Sequence, residues 1–270
     1  MTIITFLWWQ GESNGHTEAN ALKYSCYQKS MVSDLRAKFE LPNLPFILVQ
    51  SFPLFGNLSQ FQPFPGLAPE PYVCLLGLST LRLSQGDAMS LLGVGMACTI
   101  DLGDHGCPFT WQHNRAKRPC AHRAALAARS LACNEQLVHR GPEPKSVRLL
   151  DNNGRYKELL IVFDMHGSTR FHRSSVPISV LSFEILFADN VTNSSFWVPA
   201  TLLPALGNAV EISPLDSLGI GATAFFGEDP VSRAVRYGHG DFPTGIVHNA
   251  EGLPVGPFVV TVLPGMLSLS

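Results

Sequence analysis

Three groups of residues in this 270-residue chain combine types and spacings that could do chemistry. The first is Trp8-Trp9-Gln10-Gly11-Glu12-Ser13-Asn14, with amide, carboxylate and hydroxyl side chains around a glycine. Polar groups on such a turn, with main-chain amides opened by glycine, can hold the negative charge that develops on oxygen during acyl transfer. The same stretch reads Gly11-Glu12-Ser13-Asn14-Gly15, a G-x-S-x-G pattern that could raise Ser13 as a nucleophile on a sharp strand-to-helix turn. The second group is Asp101-Leu-Gly-Asp104, and the third is His113 within Gln112-His113-Asn114-Arg-Ala-Lys117. A loop histidine with carboxylates nearby is what a general base needs, because the carboxylate orients the imidazole and stabilises its charged form. Plainer roles stand beside each of these. Ser13 or Asn14 could cap the next helix, and His113 could face solvent at the start of a later one. His105 could be a surface residue or a lone metal ligand. Neither His105 nor His113 has an H-x-x-x-H companion, and Cys26, Cys74, Cys98, Cys107, Cys120 and Cys133 form no C-x-x-C pair. Neither a catalytic nor a structural zinc site is therefore expected, and no metal or organic cofactor is implied.

The elements that must position these groups follow from pattern. Ile3 to Trp9 is β-branched and aromatic, as suits a buried strand. Residues 20–39 read as an amphipathic helix with Leu22, Tyr24, Tyr27, Met31, Leu35 and Phe39 at three- and four-residue steps. Leu44 to Gln50 is a second apolar strand, so the first 50 residues form a βαβ pattern and predict a parallel sheet. Residues 51–75 are a long Pro-, Phe- and Gly-rich stretch without a period, of the kind that is often functional. Leu91 to Ile100 is a third strand ending at Asp101. Residues 116–137 read as a helix with Ala121, Ala124, Ala125, Ala128, Leu131 and Ala132 as its buried stripe, and Arg118, His122 and Arg129 on a solvated face. After Gly141-Pro-Glu-Pro144 the chain turns to strands: 146–150, 159–163, 178–188 and 258–263. The expectation is an α/β part over 1–140 and a β-rich, sandwich-like part over 141–270. Gln10–Asn14 and His113 both follow strand ends, so they should meet at the carboxyl edge of one parallel sheet, where ligands bind in such folds.

Composition excludes several classes. With 46% apolar and 15% charged residues and a mean hydropathy of +0.14, the chain is too apolar to stay disordered. A net charge of −2 offers no basic field for phosphates, so nucleic acid is not an expected partner. No window of 18 uninterrupted apolar residues predicts a membrane span, and the first residues lack the basic region of a signal peptide. Three sequons, at Asn57, Asn190 and Asn193, would carry glycans only in a secretory compartment.

Taken in series, these stretches resemble the sialate O-acetylesterase family, a branch of the SGNH-like serine esterases. Trp8-Trp-Gln-Gly-Glu-Ser-Asn14 is similar to that family's W-Y-Q-G-E-S-N, and Leu44-Pro-Phe-Ile-Leu-Val-Gln50 follows it. Asp101-Leu-Gly-Asp104 with Gln112-His113-Asn-Arg-Ala-Lys117 resembles D-L-x-D … I-H-P-R-D-K. Val235-Arg-Tyr237 and Glu251-Gly-Leu-Pro-Val-Gly-Pro-Phe258 resemble its R-Y strand and closing G-L-P-x-x-P-F. The resemblance implies a partial SGNH-like three-layer α/β sheet followed by the β-rich region. It implies removal of O-acetyl groups from sialic acids or related acetylated sugars, without a cofactor, by a secreted or lysosomal protein. It further implies His113 as base, Asp104 or Asp101 as its orienting acid, and Gln10, Gly11, Glu12 and Asn14 lining the oxyanion and acyl side.

Two departures bear on this. The family's nucleophile sits in an upstream G-Q-S-N-M motif that these residues do not contain, and Gln112 and Asn114 replace the Ile and Pro around the histidine. The chain is accordingly expected to begin inside the fold, and to show little or no esterase turnover by itself. Two rivals follow. One is an inactive relative that binds glycans. The other is an α/β-hydrolase with Ser13 as nucleophile, in the order Ser13, Asp101 or Asp104, His113; no sequence precedes Ser13 to build the earlier strands that such an elbow follows.

Overall fold

A computed structural model describes residues 2–53, 77–104, 114–150, 158–172, 183–188, 194–202, 208–214, 231–240, 243 and 246–263. His105, Cys107, Gln112, His113 and the asparagines of all three sequons lie outside them. The chain divides into two units. One is Met1–Arg140 with Gly240–Pro243, and the other is Gly141–His239 with Thr244–Ser270.

In the first unit, β1 (Phe6–Trp9), β2 (Phe46–Val49) and β3 (Val94–Ala97) form a parallel sheet in the order β1-β2-β3. Phe6 pairs with Phe46, and Phe46 with Val94. Every residue of β2 is buried, as expected of a strand covered on both faces. Its alternation sorts the core. Phe46 and Leu48 join Val32 of α1 (Glu18–Lys38), while Ile47 and Val49 join Cys120, Ala124 and Ala127 of α3 (Lys117–Cys133). The sheet is therefore the middle layer of three, with α1 on one face and α3 on the other. A further helix, α2 (Leu78–Gly86), packs beside α1 through Leu78, Leu81, Ala21 and Tyr24. α2 follows the unpatterned 51–75 stretch and has no counterpart among the expected elements.

The α/β fold class and the parallel sheet hold, but the expected stripes were partly rotated. Leu22 and Tyr27 of α1 and Phe39 just after it are exposed, and Ala21, Tyr24, Gln28 and Val32 face inward. In α3, Ala121 and Ala125 are exposed, and Cys120, Arg123, Ala124 and Ala127 are buried. The physical reason is the same in both. Small alanines let a helix sit close to the sheet or to its neighbour, so the inward face follows close approach and polar anchoring rather than side-chain size. At Gly95 of β3, an added Cβ would stand 2.7 Å from Leu131 of α3.

The second unit is described by seven strands in one antiparallel sheet plus a small ribbon. β4 (Glu143–Leu149), β5 (Leu159–Asp164), β7 (Phe183–Ala188), β8 (Ser195–Leu202), β9 (Ala209–Pro214), β10 (Val231–Tyr237) and β12 (Phe258–Thr261) lie in the order β12-β10-β7-β8-β9-β5-β4. β6 (Phe171–His172) pairs with β11 (His248–Asn249). β8 bends across the sheet: 195–199 pair with β7 and 200–202 with β9. A parallel bridge from Arg148 to Leu263 brings the chain just after β12 beside β4, the strand at the other edge. Phe163, Phe183, Tyr237 and Phe258 form its aromatic core.

Candidate functional site

The carboxyl ends of β1, β2 and β3 carry Gln10–Asn14, Gln50–Ser51 and Cys98–Asp104, so polar residues collect at one edge of the parallel sheet. β1 passes into a 3-10 turn over Glu12–His16, which opens when Gly11 adopts φ +144°. A side chain at that position would be strained by its backbone and would meet Gln85 Nε2 at 2.8 Å. The Asn14 N–H donates to Gly11 O at 2.7 Å and closes the turn. Neither Ser13 nor Asn14 caps the following helix: that role belongs to Thr17, whose Oγ1 accepts from Asn20 N–H at 3.2 Å.

Buried groups beneath the turn fix it. The Tyr24 hydroxyl lies 2.9 Å from both the main-chain oxygen and Oε1 of Gln10, so its single proton is shared between them. Gln85 Nε2 donates to the same Gln10 oxygen at 3.1 Å, and Trp8 Nε1 donates to Tyr24 Oη at 3.4 Å. Burial, with the Glu12 carboxylate adding to it, raises the Tyr24 phenol above its ordinary pKa, so it remains a neutral donor. Gln10 Nε2 donates to Asn14 Oδ1 at 3.0 Å. This uses one of the two Gln10 amide protons and orients Asn14 with its own amide nitrogen directed away from that bond. Ser13 is exposed on the outside of the turn.

The second strand end is tied to the same frame. Ser51 N–H donates to Gln85 Oε1 at 2.9 Å, and Arg82 Nε to Ser51 O at 3.2 Å. Arg82 is fully buried and also donates through Nη1 to Gly240 O at 2.7 Å, which brings the 240–243 segment into this unit. Thr99 Oγ1 donates to Gln50 O at 2.8 Å, and the Cys98 thiol to Gln50 Oε1 at 3.1 Å. Loss of water around the thiol pushes Cys98 up to about 12, which makes it a structural donor and not a nucleophile.

The two candidate acids have different surroundings. Asp101 forms a two-pronged pair with Arg123 of α3, Oδ1 to Nη1 at 2.6 Å and Oδ2 to Nη2 at 2.7 Å, with both side chains largely buried. Arg123 Nη1 also donates to Cys98 O at 2.7 Å, so this pair fastens the end of β3 to α3. Asp104 accepts from Arg115 through Nε at 2.7 Å and Nη2 at 2.8 Å, and the Arg115 side chain is more than half exposed. Between them, Asn114 is buried. Its Nδ2 donates to Leu102 O and its Oδ1 accepts from Ala116 N–H at 2.5 Å. The asparagine thus fixes the backbone just after His113 by hydrogen bonds, at the position where the related motif uses proline.

Sequence reasoning placed Gln10–Asn14, Asp101 and Asp104 after strand ends, and in the structure both segments follow the carboxyl ends of parallel strands, β1 and β3. It did not single out Gln85, Arg82, Ser51, Cys98 or Arg123 as parts of this frame. An arginine inside the apolar run Leu81-Arg82-Leu83 is the one sequence signal that could have pointed to it.

A family model described as carbohydrate esterase, sialic acid-specific acetylesterase, matches residues 1–58. The chain is 26% identical over 278 residues to the sialate O-acetylesterase of Mus musculus, covering 97% of this chain and 45% of that protein. To the Homo sapiens sialate O-acetylesterase it is 30% identical over 162 residues, 57% of this chain and 29% of that protein. The crystal structure of a novel carbohydrate acetylesterase from Xanthomonas citri superposes with a TM-score of 0.70 at 28% identity, covering 96% of this chain and 50% of that one. The chain is thus similar to sialate O-acetylesterases along nearly its whole length. It spans about half the length, or less, of the relatives it matches. Among the described residues, no cluster of histidine, cysteine and acidic residues could hold a metal, and no helix is long and apolar enough to cross a membrane.

Proposed function

We propose that this protein works as a carbohydrate O-acetylesterase on O-acetylated sialic acids or related acetylated sugars. In this reading it supplies the acyl-binding turn and the general base, and the nucleophilic serine belongs to the part of the family's fold that this chain does not span. The observation that carries the reading is the Gln10–Asn14 turn, held rigid by Tyr24 and Gln85 at the carboxyl edge of a parallel sheet. The remaining Gln10 Nε2 proton and the Asn14 amide are donors whose direction is set before substrate arrives. Such donors stabilise an oxyanion without paying reorganisation during the reaction.

His113 takes the serine proton on attack and gives it to the departing sugar oxygen; in deacylation it takes a proton from the attacking water and returns it to the serine oxygen. Of the two acids, Asp104 suits the orienting role better, because its partner Arg115 is more than half exposed whereas Asp101 pairs with the buried Arg123. The bonded Asn114 counts against decay of the histidine segment. Secretion or lysosomal residence, with glycans at Asn57, Asn190 or Asn193, is part of the same proposal.

The test is acetate release from O-acetylated sialic acid, followed by proton NMR. The 270-residue chain should release acetate at little above the blank rate. A longer chain that includes a G-Q-S-N segment should release it at enzymatic rates, and His113→Ala in that chain should lower the rate by several orders of magnitude. If the 270-residue chain is itself active and Ser13→Ala abolishes the activity without unfolding, Ser13 is the nucleophile and the assignment of the turn is wrong. Binding of the sugar with no acetate release in either form would leave the glycan-binding reading in its place.

A further inference from the structure

Lys117 is the first residue of α3, and its ammonium group stands over two aromatic rings at once. It lies 4.6 Å from the centre of the Trp9 ring and 5.1 Å from that of Phe52. The two rings are themselves 5.4 Å apart. Trp9 ends β1 and is bonded to Gln10 of the turn, and Phe52 directly follows Ser51 at the end of β2. α3 runs back along the sheet, from Cys120, which clusters with Val49 and Ala97, to Leu131 beside Gly95. Its first turn therefore lies at the carboxyl ends of the strands, on the same edge as the Gln10–Asn14 turn.

An ammonium has three donors and no acceptor. Ring faces attract it and hold it in place, but they do not neutralise its charge. The acids of the neighbouring loop are already engaged, Asp104 by Arg115 and Asp101 by Arg123. Among the described residues, no carboxylate forms an ion pair with Lys117. Lys38 of α1 is different, because it pairs with Asp34 of its own helix at 2.8 Å. Lys117 thus presents an exposed, positioned and uncompensated positive charge beside a turn that offers amide donors.

We propose that Lys117 binds the carboxylate of an acidic O-acetylated sugar, and so selects sialic acids over neutral acetylated sugars. The inference rests on the carbohydrate O-acetylesterase reading and names which of its substrate classes the site takes. Trp9 and Phe52 fix where the ammonium stands and turn one side of it away from water. A carboxylate meeting its other side forms a charge-assisted hydrogen bond, which a neutral sugar cannot supply.

The experiment titrates the 270-residue chain with the methyl glycoside of an O-acetylated sialic acid. A parallel titration uses the same sugar with its carboxylate replaced by a carboxamide. Binding is followed by tryptophan fluorescence and saturation-transfer NMR, so it is read without turnover and separately from acetate release. The acid should bind about tenfold or more tightly than the carboxamide. Lys117→Met keeps an apolar chain against the rings and removes the charge. It should weaken binding of the acid alone and bring the two affinities together, while Lys117→Arg keeps most of the difference. Lys38→Met removes the same charge from α1 and should leave the difference intact. Lys117 is exposed, so circular dichroism should show its variants folded, and the comparison of the two sugars on the unmodified chain requires no variant. Equal binding of acid and carboxamide, a difference that survives Lys117→Met, or no binding of the acid would overturn the assignment. In each of these cases acetate release by the longer chain still judges the esterase reading by itself.

Discussion

Gly11 and the residues beneath it fix the shape of the Gln10–Asn14 turn. Gly11→Ala forces a side chain into φ +144° and pushes Gln85 from its bond to the Gln10 oxygen. The expected loss is on the order of 1–3 kcal/mol in urea unfolding, with a larger fall in acetate release by the longer chain than Ser13→Ala produces. Two groups in this frame also make stability depend on alkaline pH. Cys98 rises from an ordinary 9.0 to about 12, and Tyr24 rises above 10.0, each chiefly through burial. A raised acid pKa in the folded state means that the unfolded chain gives up its proton first. The stability that Cys98 contributes is therefore complete below pH 9 and is lost as pH climbs from 9 toward 12, and that of Tyr24 is lost as pH climbs above 10, at up to about 1.4 kcal/mol per pH unit for each group. Chemical unfolding at pH 8, 9.5 and 10.5 should show this decline, and Cys98→Ala should flatten its first part. A profile unchanged by Cys98→Ala would remove the thiol from the account.

At the scale of elements, α3 is held to the sheet by both packing and charge. Arg123→Ala leaves the Asp101 carboxylate largely buried without its two-pronged partner, and it frees the Cys98 oxygen. The expected cost is about 3–5 kcal/mol in denaturant unfolding, as for other buried pairs broken on one side. A loss below about 1 kcal/mol would place the pair with solvated surface bridges. The same helix shows what sequence could and could not convey. Its existence was legible from an alanine-rich stretch after a polar loop, and β1, β2 and β3 from apolar runs. Its rotation was not, because Arg123 turned inward for a carboxylate that hydropathy cannot see. Likewise Leu22 and Tyr27 of α1 looked like core by size, while the interior selected Ala21, Tyr24 and Gln28. α2 escaped notice because Arg82 and Gln85 on its inward face satisfy strand-end carbonyls and an amide beside the apolar Leu78 and Leu81.

At the scale of the molecule, two units differ in how they end their sheets. The second brings its edge strands together through Arg148 and Leu263, while in the first β1 has no outer ladder partner among the described residues and leaves Leu7 and Trp9 partly exposed. The return of Gly240–Pro243 to the first unit, through Arg82, had no sequence signal, since a single buried guanidinium accounts for it. The W-W-Q-G-E-S-N turn was legible because glycine and polar residues follow directly on an apolar strand. The pairing of His113 with an acid rests on spacing in the sequence, since His113 lies outside the described residues, and the exposure of Leu7 and Trp9 became visible only with the structure in hand. The central claim is that this chain carries the turn and the base but not the nucleophile. The most direct measurement is labelling with a fluorophosphonate that reacts only with activated serines, followed by mass-spectrometric mapping of the labelled peptide. The account predicts no labelled serine in the 270-residue chain alone, Ser13 included. In the longer chain it predicts one labelled serine, in the G-Q-S-N segment, and none after His113→Ala. A stoichiometric label on Ser13 would contradict it.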